Sequence, residues 1–334
     1  MKTALKPGIK PAVKAYRAPG WLPGGHAQTI WPLLIKPRPI KLRRERWTTP
    51  DDDFIDVDFL DGPADSPLLV LFHGLEGSAR SHYAISTARA CQQAGWRFVM
   101  PHFRGCSGEL NRRPRAYHSG DSAEIDWILR RLHDINQQQP IHAAGVSLGG
   151  NALLKWAGEQ GPAASALVTG VVSICAPLDL AACGHHLARG FNRIYTRHFL
   201  KTLKAISHAR LRQFPGLFDA IKMQQASNLY QFDDAVTAPV HGFAGADDYW
   251  QRASAKPWLK SIAVPTLAVN AKNDPFLPAR FLPDTAEVSR FVHLEHPAGG
   301  GHVGFVSGPF PGNLDWLAQR LLHFFLFERH TTSS

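Results

Sequence analysis

Cysteine is scarce in this chain, and long apolar runs are missing. The 334 residues include four cysteines, Cys91, Cys106, Cys175 and Cys183, with no C-x-x-C spacing among them. That pattern argues against a zinc knuckle and a disulfide framework, and it suits a reducing compartment. No apolar stretch approaches the roughly 20 residues of a membrane span. The N-terminus, MKTALKPGIKPAVKAYRAPGW, is basic, but Pro7 and Pro11 interrupt it and no apolar segment follows. It does not read as a secretory signal, and the expected location is cytoplasmic. The chain lacks an H-E-x-x-H, a P-loop and a G-x-G-x-x-G at a first strand, so neither a metal nor an organic cofactor is signalled. Internal repeats and low-complexity segments are also lacking.

Hydrophobic residues make up 44% of the chain and charged residues 19%, enough apolar material for a sizeable core. Basic residues outnumber acidic ones, 37 against 27, for a net charge of +10. Such an excess attracts anionic partners, but no nucleic-acid motif accompanies it and no nucleic-acid partner is expected. The charge reads as a solvated basic face plus a basic arm, Lys2, Lys6, Lys10, Lys14 and Arg17. Peripheral contact with an anionic membrane surface is its other use.

The pattern along the chain is an alternation. RERWTTPDDDFIDVDFL predicts two strands around Asp51-Asp52-Asp53, an acidic turn without the remaining ligands of a calcium loop. Strands are then predicted over 67–72, 96–101, 141–145, 167–175, 265–270 and 290–294. Helices are predicted over 81–95 and 121–137, after Ser147, and over 314–327. Alternating units of this kind imply an α/β fold with a mostly parallel sheet covered on both faces. Residues 178–262 break the rhythm with helical segments only, which reads as a cap inserted before the last strands. The expected organisation is an arm and extension over 1–45, a core over 46–177 and 263–330, and the cap between.

The stretch IHAAGVSLGGNALLKWAG carries the chemistry. Gly145-Val146-Ser147-Leu148-Gly149 lies where a short apolar strand meets a helical run, the context a G-x-S-x-G nucleophile elbow requires. A serine hydroxyl needs a base oriented by a third group, in the chain order Ser, Asp or Glu, His. Asp274, in the turn NDP just after a predicted strand, is the acid candidate; Asp247 and Asp248 are rivals inside the helical insertion. His302, in the Gly-rich loop HPAGGGHVGF, is the base candidate, with His296 as its rival. The oxyanion donors expected are the N–H of Leu148 and the N–H of Leu75, which follows the strand ending in His73-Gly74. Arg104, Arg112, Arg113 and Arg115 either anchor a loop or receive an anionic substrate group. Cys106 has no apparent partner base. Trp21, Trp31, Phe243, Tyr249 and Trp250 are candidates for lining an acyl pocket.

The segments GWLPGGHAQTIWP, FHGLEGSARSHY, HFRGCSGELNRRPRAYHSGD, GVSLGGNALLKW, FDDAVTAPVHGF, NAKNDPF and GGGHVGF together resemble the YheT-like branch of the α/β-hydrolase superfamily. These are bacterial esterases related to eukaryotic hydrolase-domain lipases and yeast ethanol acyltransferase/esterases. The resemblance runs from about Gly20 onward. It implies an α/β-hydrolase fold, a triad on Ser147, Asp274 and His302, and medium-chain acyl esters as substrates. The expected activity is serine carboxylic-ester hydrolysis of short- to medium-chain acyl esters through an acyl-enzyme. Acyl transfer to an alcohol, or a non-catalytic lipid- or protein-binding scaffold, are the alternatives.

Overall fold

The computed structural model describes residues 13–35, 37–136 and 141–328. Lys2, Lys6 and Lys10 of the basic arm lie outside the described residues. Eight strands form one sheet: β1 (Arg43–Thr48), β2 (Phe54–Leu60), β3 (Leu68–Phe72), β4 (Arg97–Pro101), β5 (Ile141–Val146), β6 (Gly170–Ile174), β7 (Thr266–Val269) and β8 (Val292–Glu295). Their order is β1-β2-β4-β3-β5-β6-β7-β8. The β1–β2 and β2–β4 pairs are antiparallel, and every pair from β4–β3 to β7–β8 is parallel.

Side chains alternate across the sheet and feed two cores. Leu68, Val70 and Phe72 of β3 face one way, with Ile125 and Leu129 of α3 (Ser122–Ile135) and Leu153 and Trp156 of α4 (Leu148–Gln160). Leu69 and Leu71 face the other way, with Ala88 of α2 (His82–Ala94) and Leu321 of α11 (Asp315–His323). Local signals set the helix limits. Asp121 caps α3 by accepting the Glu124 N–H at 3.3 Å, and Gly95 ends α2 in the left-handed region at φ 69°.

The expected elements appear with adjusted bounds. The strand read over 167–175 starts only at Gly170, because residues Gly161–Ala166 form a 3-10 turn. The terminal helix changes at Phe324 into a π-turn, Phe324–Glu328, which buries both Phe324 and Phe325. No helix among the described residues is long and apolar enough to cross a membrane.

Before β1 lies a short helix, α1 (Gly25–Ile30). Between β6 and β7 the described elements are all helical: α5 (Leu180–Leu187), α6 (Arg193–Gln213), α7 (Ala220–Gln225), α8 (Leu229–Phe232), α9 (Ala238–His241) and α10 (Ala246–Ala253). They carry their own apolar clusters. Leu200, Phe218, Met223 and Phe232 form one, and Leu180, Tyr249 and Trp250 another. The helices stand over the carboxyl ends of β3, β5, β6 and β7, where open parallel sheets place their sites.

Candidate active site

Ser147 sits between β5 and α4 with φ 51° and ψ −118°, a conformation that costs a non-glycine residue about 1–3 kcal/mol. Its N–H donates to Ile174 O at 2.8 Å, which fixes the strained turn to the neighbouring strand. The flanking glycines are steric requirements. A Cβ on Gly149 would stand 2.5 Å from His73 O, and one on Gly145 would stand 2.5 Å from Gly149 O. Substituting Gly149 would push α4 away from β3 and the residue after it, and substituting Gly145 would push α4 away from β5.

Three side chains meet here. Ser147 Oγ lies 3.0 Å from His302 Nε2, and His302 Nδ1 lies 2.9 Å from Asp274 Oδ2. The carboxylate can only accept, so Nδ1 carries the proton and Nε2 is left to accept from the serine hydroxyl. Asp274 is buried, and its other oxygen accepts the Phe276 N–H at 2.8 Å. The Phe276 ring stacks on His302 with centroids 3.9 Å apart. The rival residues lie elsewhere. Asp247 accepts from Tyr230 Oη and Asp248 from Arg252, both in the helical insertion, and His296 follows β8 without a contact to Ser147.

The loop after β3 approaches Ser147 closely. A Cβ on Gly74 would touch Ser147 Cβ at 3.2 Å. Most amides of this loop are engaged: Gly74 donates to Tyr83 Oη, Glu76 to Tyr117 Oη and Gly77 to Gly74 O. Among the described residues the Leu75 N–H has no acceptor. Leu148 is the first residue of α4, so no preceding helical turn takes its N–H. His73 fixes the loop from beneath. Phe103 N donates to its Nε2 at 3.0 Å, so its Nδ1–H donates to Gly74 O at 2.7 Å. Complete burial pushes the His73 pKa down to about 3, so the ring stays neutral.

Sequence reasoning missed the residues that hold the histidine. The segment GHAQTI forms α1, which lies against the His302 loop. Thr29 Oγ1 accepts the His302 N–H at 2.8 Å, and Gln28 Oε1 accepts the Gly300 N–H at 2.7 Å and the Asn273 Nδ2–H at 2.9 Å. Asn273 Oδ1 in turn accepts the Gly301 N–H at 2.9 Å. A Cβ on Gly304 would come within 2.0 Å of Gln28 O, so this loop needs glycine to accept α1. The sequence marks this stretch only through the family-resembling segment GWLPGGHAQTIWP, and nothing in it points to a loop so remote in sequence.

The arginines of the 104–115 segment anchor it. Arg104 is buried and binds Asp51, Asp53 and Glu124; Arg113 reaches Asp51 O; Arg115 reaches Asp121. The acidic turn is thereby engaged by protein donors, with Asn111 and the Arg112 N–H also on Asp53. Cys106 is half-buried near Glu76, and desolvation pushes its thiol pKa up, away from a nucleophilic thiolate.

Two spaces meet at Ser147. One is a mostly apolar cavity of about 160 Å³ beneath the helical insertion, bounded by Leu148, Leu180, Leu187, Phe199, Val236 and Trp250. The other is an open groove of about 1110 Å³ bordered by Thr29, Leu33, Arg44, His82 and His302. Of the five aromatic candidates, Tyr249 and Trp250 line the cavity. Trp21 and Trp31 instead cluster with Phe310 at the outer surface, and Phe243 packs behind Tyr249.

Residues 67–309 match the family model described as alpha/beta hydrolase fold. The chain is 39% identical to the "Putative esterase YheT" of Escherichia coli (strain K12), over 89% of this chain and 88% of that one. It is 28% identical to the phospholipase ABHD3 of Homo sapiens, over 87% of this chain and 73% of that one. Among solved structures, an esterase of Pyrococcus furiosus superposes with a TM-score of 0.54 at 13% identity, covering 85% of this chain and 90% of that one; this likeness speaks to the fold. The chain belongs to the α/β-hydrolase family, in its YheT-like branch.

Proposed function

We propose that the protein is a serine carboxylic-ester hydrolase acting on short- to medium-chain acyl esters. The observation that carries the reading is the continuous relay from Asp274 through His302 to a serine held in a strained turn. Ser147 Oγ attacks the ester carbonyl while His302 Nε2 takes its proton. Asp274 keeps the imidazole in the productive tautomer and stabilises the imidazolium. The Leu75 and Leu148 amides receive the oxyanion, each worth a few kcal/mol of transition-state stabilisation. His302 then gives its proton to the leaving alkoxide, and water cleaves the acyl-enzyme by the reverse route. Residues 178–262 act as the cap, with the apolar cavity beneath them taking the acyl chain and the open groove taking the alcohol half.

The width of that groove favours a second reading on the same triad, in which an alcohol intercepts the acyl-enzyme. Product ratios in water–ethanol mixtures separate the two. The primary test is labelling by a fluorophosphonate probe, followed by a screen of p-nitrophenyl esters. Wild type is labelled, Ser147→Ala is not, and His302→Ala is labelled far more slowly. A folded wild type that stays unlabelled at high probe concentration would overturn the reading in favour of a binding scaffold.

A further inference from the structure

The cavity beside Ser147 has a cation where an apolar lining would be expected. Along α6, Phe199, Leu203, Ile206, Ser207 and Arg210 all face it. Arg210 is 7% exposed and Ser207 4%. Among the described residues no carboxylate oxygen lies within 4 Å of the Arg210 guanidinium, and no hydrogen bond engages it. Arg104 borders the same cavity, but its donors are taken by Asp51, Asp53 and Glu124. Glu76, the nearby acid, accepts the Tyr117 hydroxyl at 2.7 Å. Asp233 accepts from Trp250 Nε1 and Thr237 Oγ1. His241 also lines the cavity with its Nε2 unpartnered, its ring against that of His118 with centroids 4.6 Å apart.

Glu76 and Asp53 act on Arg210 only at longer range, and a buried guanidinium with no direct carboxylate partner is unfavourable, so that an apolar side chain would fill the same place at lower cost. Its retention makes sense if the missing counter-charge arrives with the ligand. Phe199, at the other end of this wall, packs against Phe276, which stacks on His302. Arg210 lies three helical turns further along α6, about 16 Å at the rise of an α-helix. The cavity therefore extends from the reacting centre past an apolar wall to the Arg210 guanidinium, whose Nη2 lies near Gly105, a Cβ on which would stand 3.3 Å away.

We propose that this end is an anion subsite, so that the preferred acyl group carries a carboxylate at the end remote from the ester. The substrates would be half-esters of dicarboxylic acids. Arg210 presents a planar fork suited to bidentate pairing with one carboxylate, with Ser207 and His241 at its sides. The proposal rests on the esterase reading for its turnover, though not for its binding.

The test compares p-nitrophenyl hemiesters of succinic, adipic and suberic acids with the uncharged acyl esters of matching length. In wild type, kcat/KM for at least one hemiester exceeds that of its uncharged match by about tenfold or more, as expected for a charge-assisted pair. In Arg210→Met the ratio falls to one or below while the uncharged ester is still cleaved; Arg210→Lys gives an intermediate ratio. A merely structural arginine would move stability and leave the ratio alone. Binding of monomethyl adipate to Ser147→Ala, measured by calorimetry, should weaken about tenfold when Arg210→Met is added. Equal handling of charged and uncharged esters in wild type, or a ratio unchanged in Arg210→Met, overturns the subsite and leaves the esterase. Binding that depends on Arg210 without hydrolysis of any ester keeps the subsite and overturns the esterase. Should Arg210→Met fail to fold, Arg210→Lys and Ser207→Ala carry the comparison.

Discussion

Thr29 accepts the backbone N–H of His302 at 2.8 Å across 273 positions of sequence. The same threonine hydroxyl donates to Gly25 O at 2.7 Å, so its orientation is fixed before the histidine loop meets it. The imidazole is thus held from two directions, by Asp274 through its ring and by α1 through its backbone. Thr29→Val keeps the shape and removes the acceptor, leaving a partly buried N–H unpaired. That loss is worth about 1–3 kcal/mol, which in the reacting geometry corresponds to a drop of roughly tenfold in kcat. Thr29→Ser should restore most of it. Steady-state kinetics on a p-nitrophenyl ester, with circular dichroism to establish folding, decides the matter.

Asp274→Asn should leave the fold intact and lower kcat by at least about a hundredfold, because an amide no longer selects the tautomer in which Nε2 accepts from Ser147. A variant retaining more than about a tenth of wild-type activity would show that the aspartate is dispensable as orienter.

Arg104→Met should be costly in stability and not in substrate affinity. It leaves Asp53 buried without its cation and Glu124 with only the longer Arg115 contact at 3.8 Å, with an expected loss of about 3–5 kcal/mol in urea unfolding. A variant of normal stability but raised KM would return this arginine to the substrate.

His73 predicts a pH dependence. Its folded-state pKa, near 3, lies below the ordinary value of 6.5, so the folded protein binds fewer protons than the unfolded chain between those limits. The stabilisation is complete above pH 6.5 and is lost as the pH falls from there toward 3, at about 1.4 kcal/mol per unit for this one group. Unfolding free energies at pH 7.5 and pH 5 should differ less in His73→Gln than in wild type. Equal slopes would mean that the ring takes up protons equally in the folded and unfolded states.

Gly304→Ala probes the seat of α1. A methyl group there would strike Gln28 O, so α1 or the histidine loop must withdraw. Activity should fall by more than about tenfold, together with a loss of about 1–3 kcal/mol in stability. Unchanged kinetics would separate the latch from the histidine.

Much of this was legible because it is local. The elbow is a five-residue pattern at a strand–helix joint, and Asp274 and His302 stand in turns directly after strands, so chain order alone nominated three residues that the fold brings into hydrogen-bonding reach. The alternation of β3, with Leu69 and Leu71 opposed to Val70 and Phe72, likewise shows in a few letters. Gln28 and Thr29 were illegible for the opposite reason. Their partners lie at the far end of the chain, and a Gln-Thr pair on a six-residue helix has no period or spacing to mark it. Arg210 was hidden by helical symmetry: in the basic run of α6 it reads like Arg197 or Arg212, and only the packed helix shows which arginine turns inward.

The latch between α1 and the histidine loop also concerns when the site comes into being. As the chain leaves the ribosome, the elbow and its strand emerge well before the imidazole and the loop that seats on residues 28–29, since His302 follows Ser147 by 155 positions. Domains fold as units from the amino end, yet here two segments 273 positions apart must find each other before the serine has its proposed base. On the proposed triad, a growing chain exposes a hydroxyl without its base until residue 302 has been made and seated on residues 28–29.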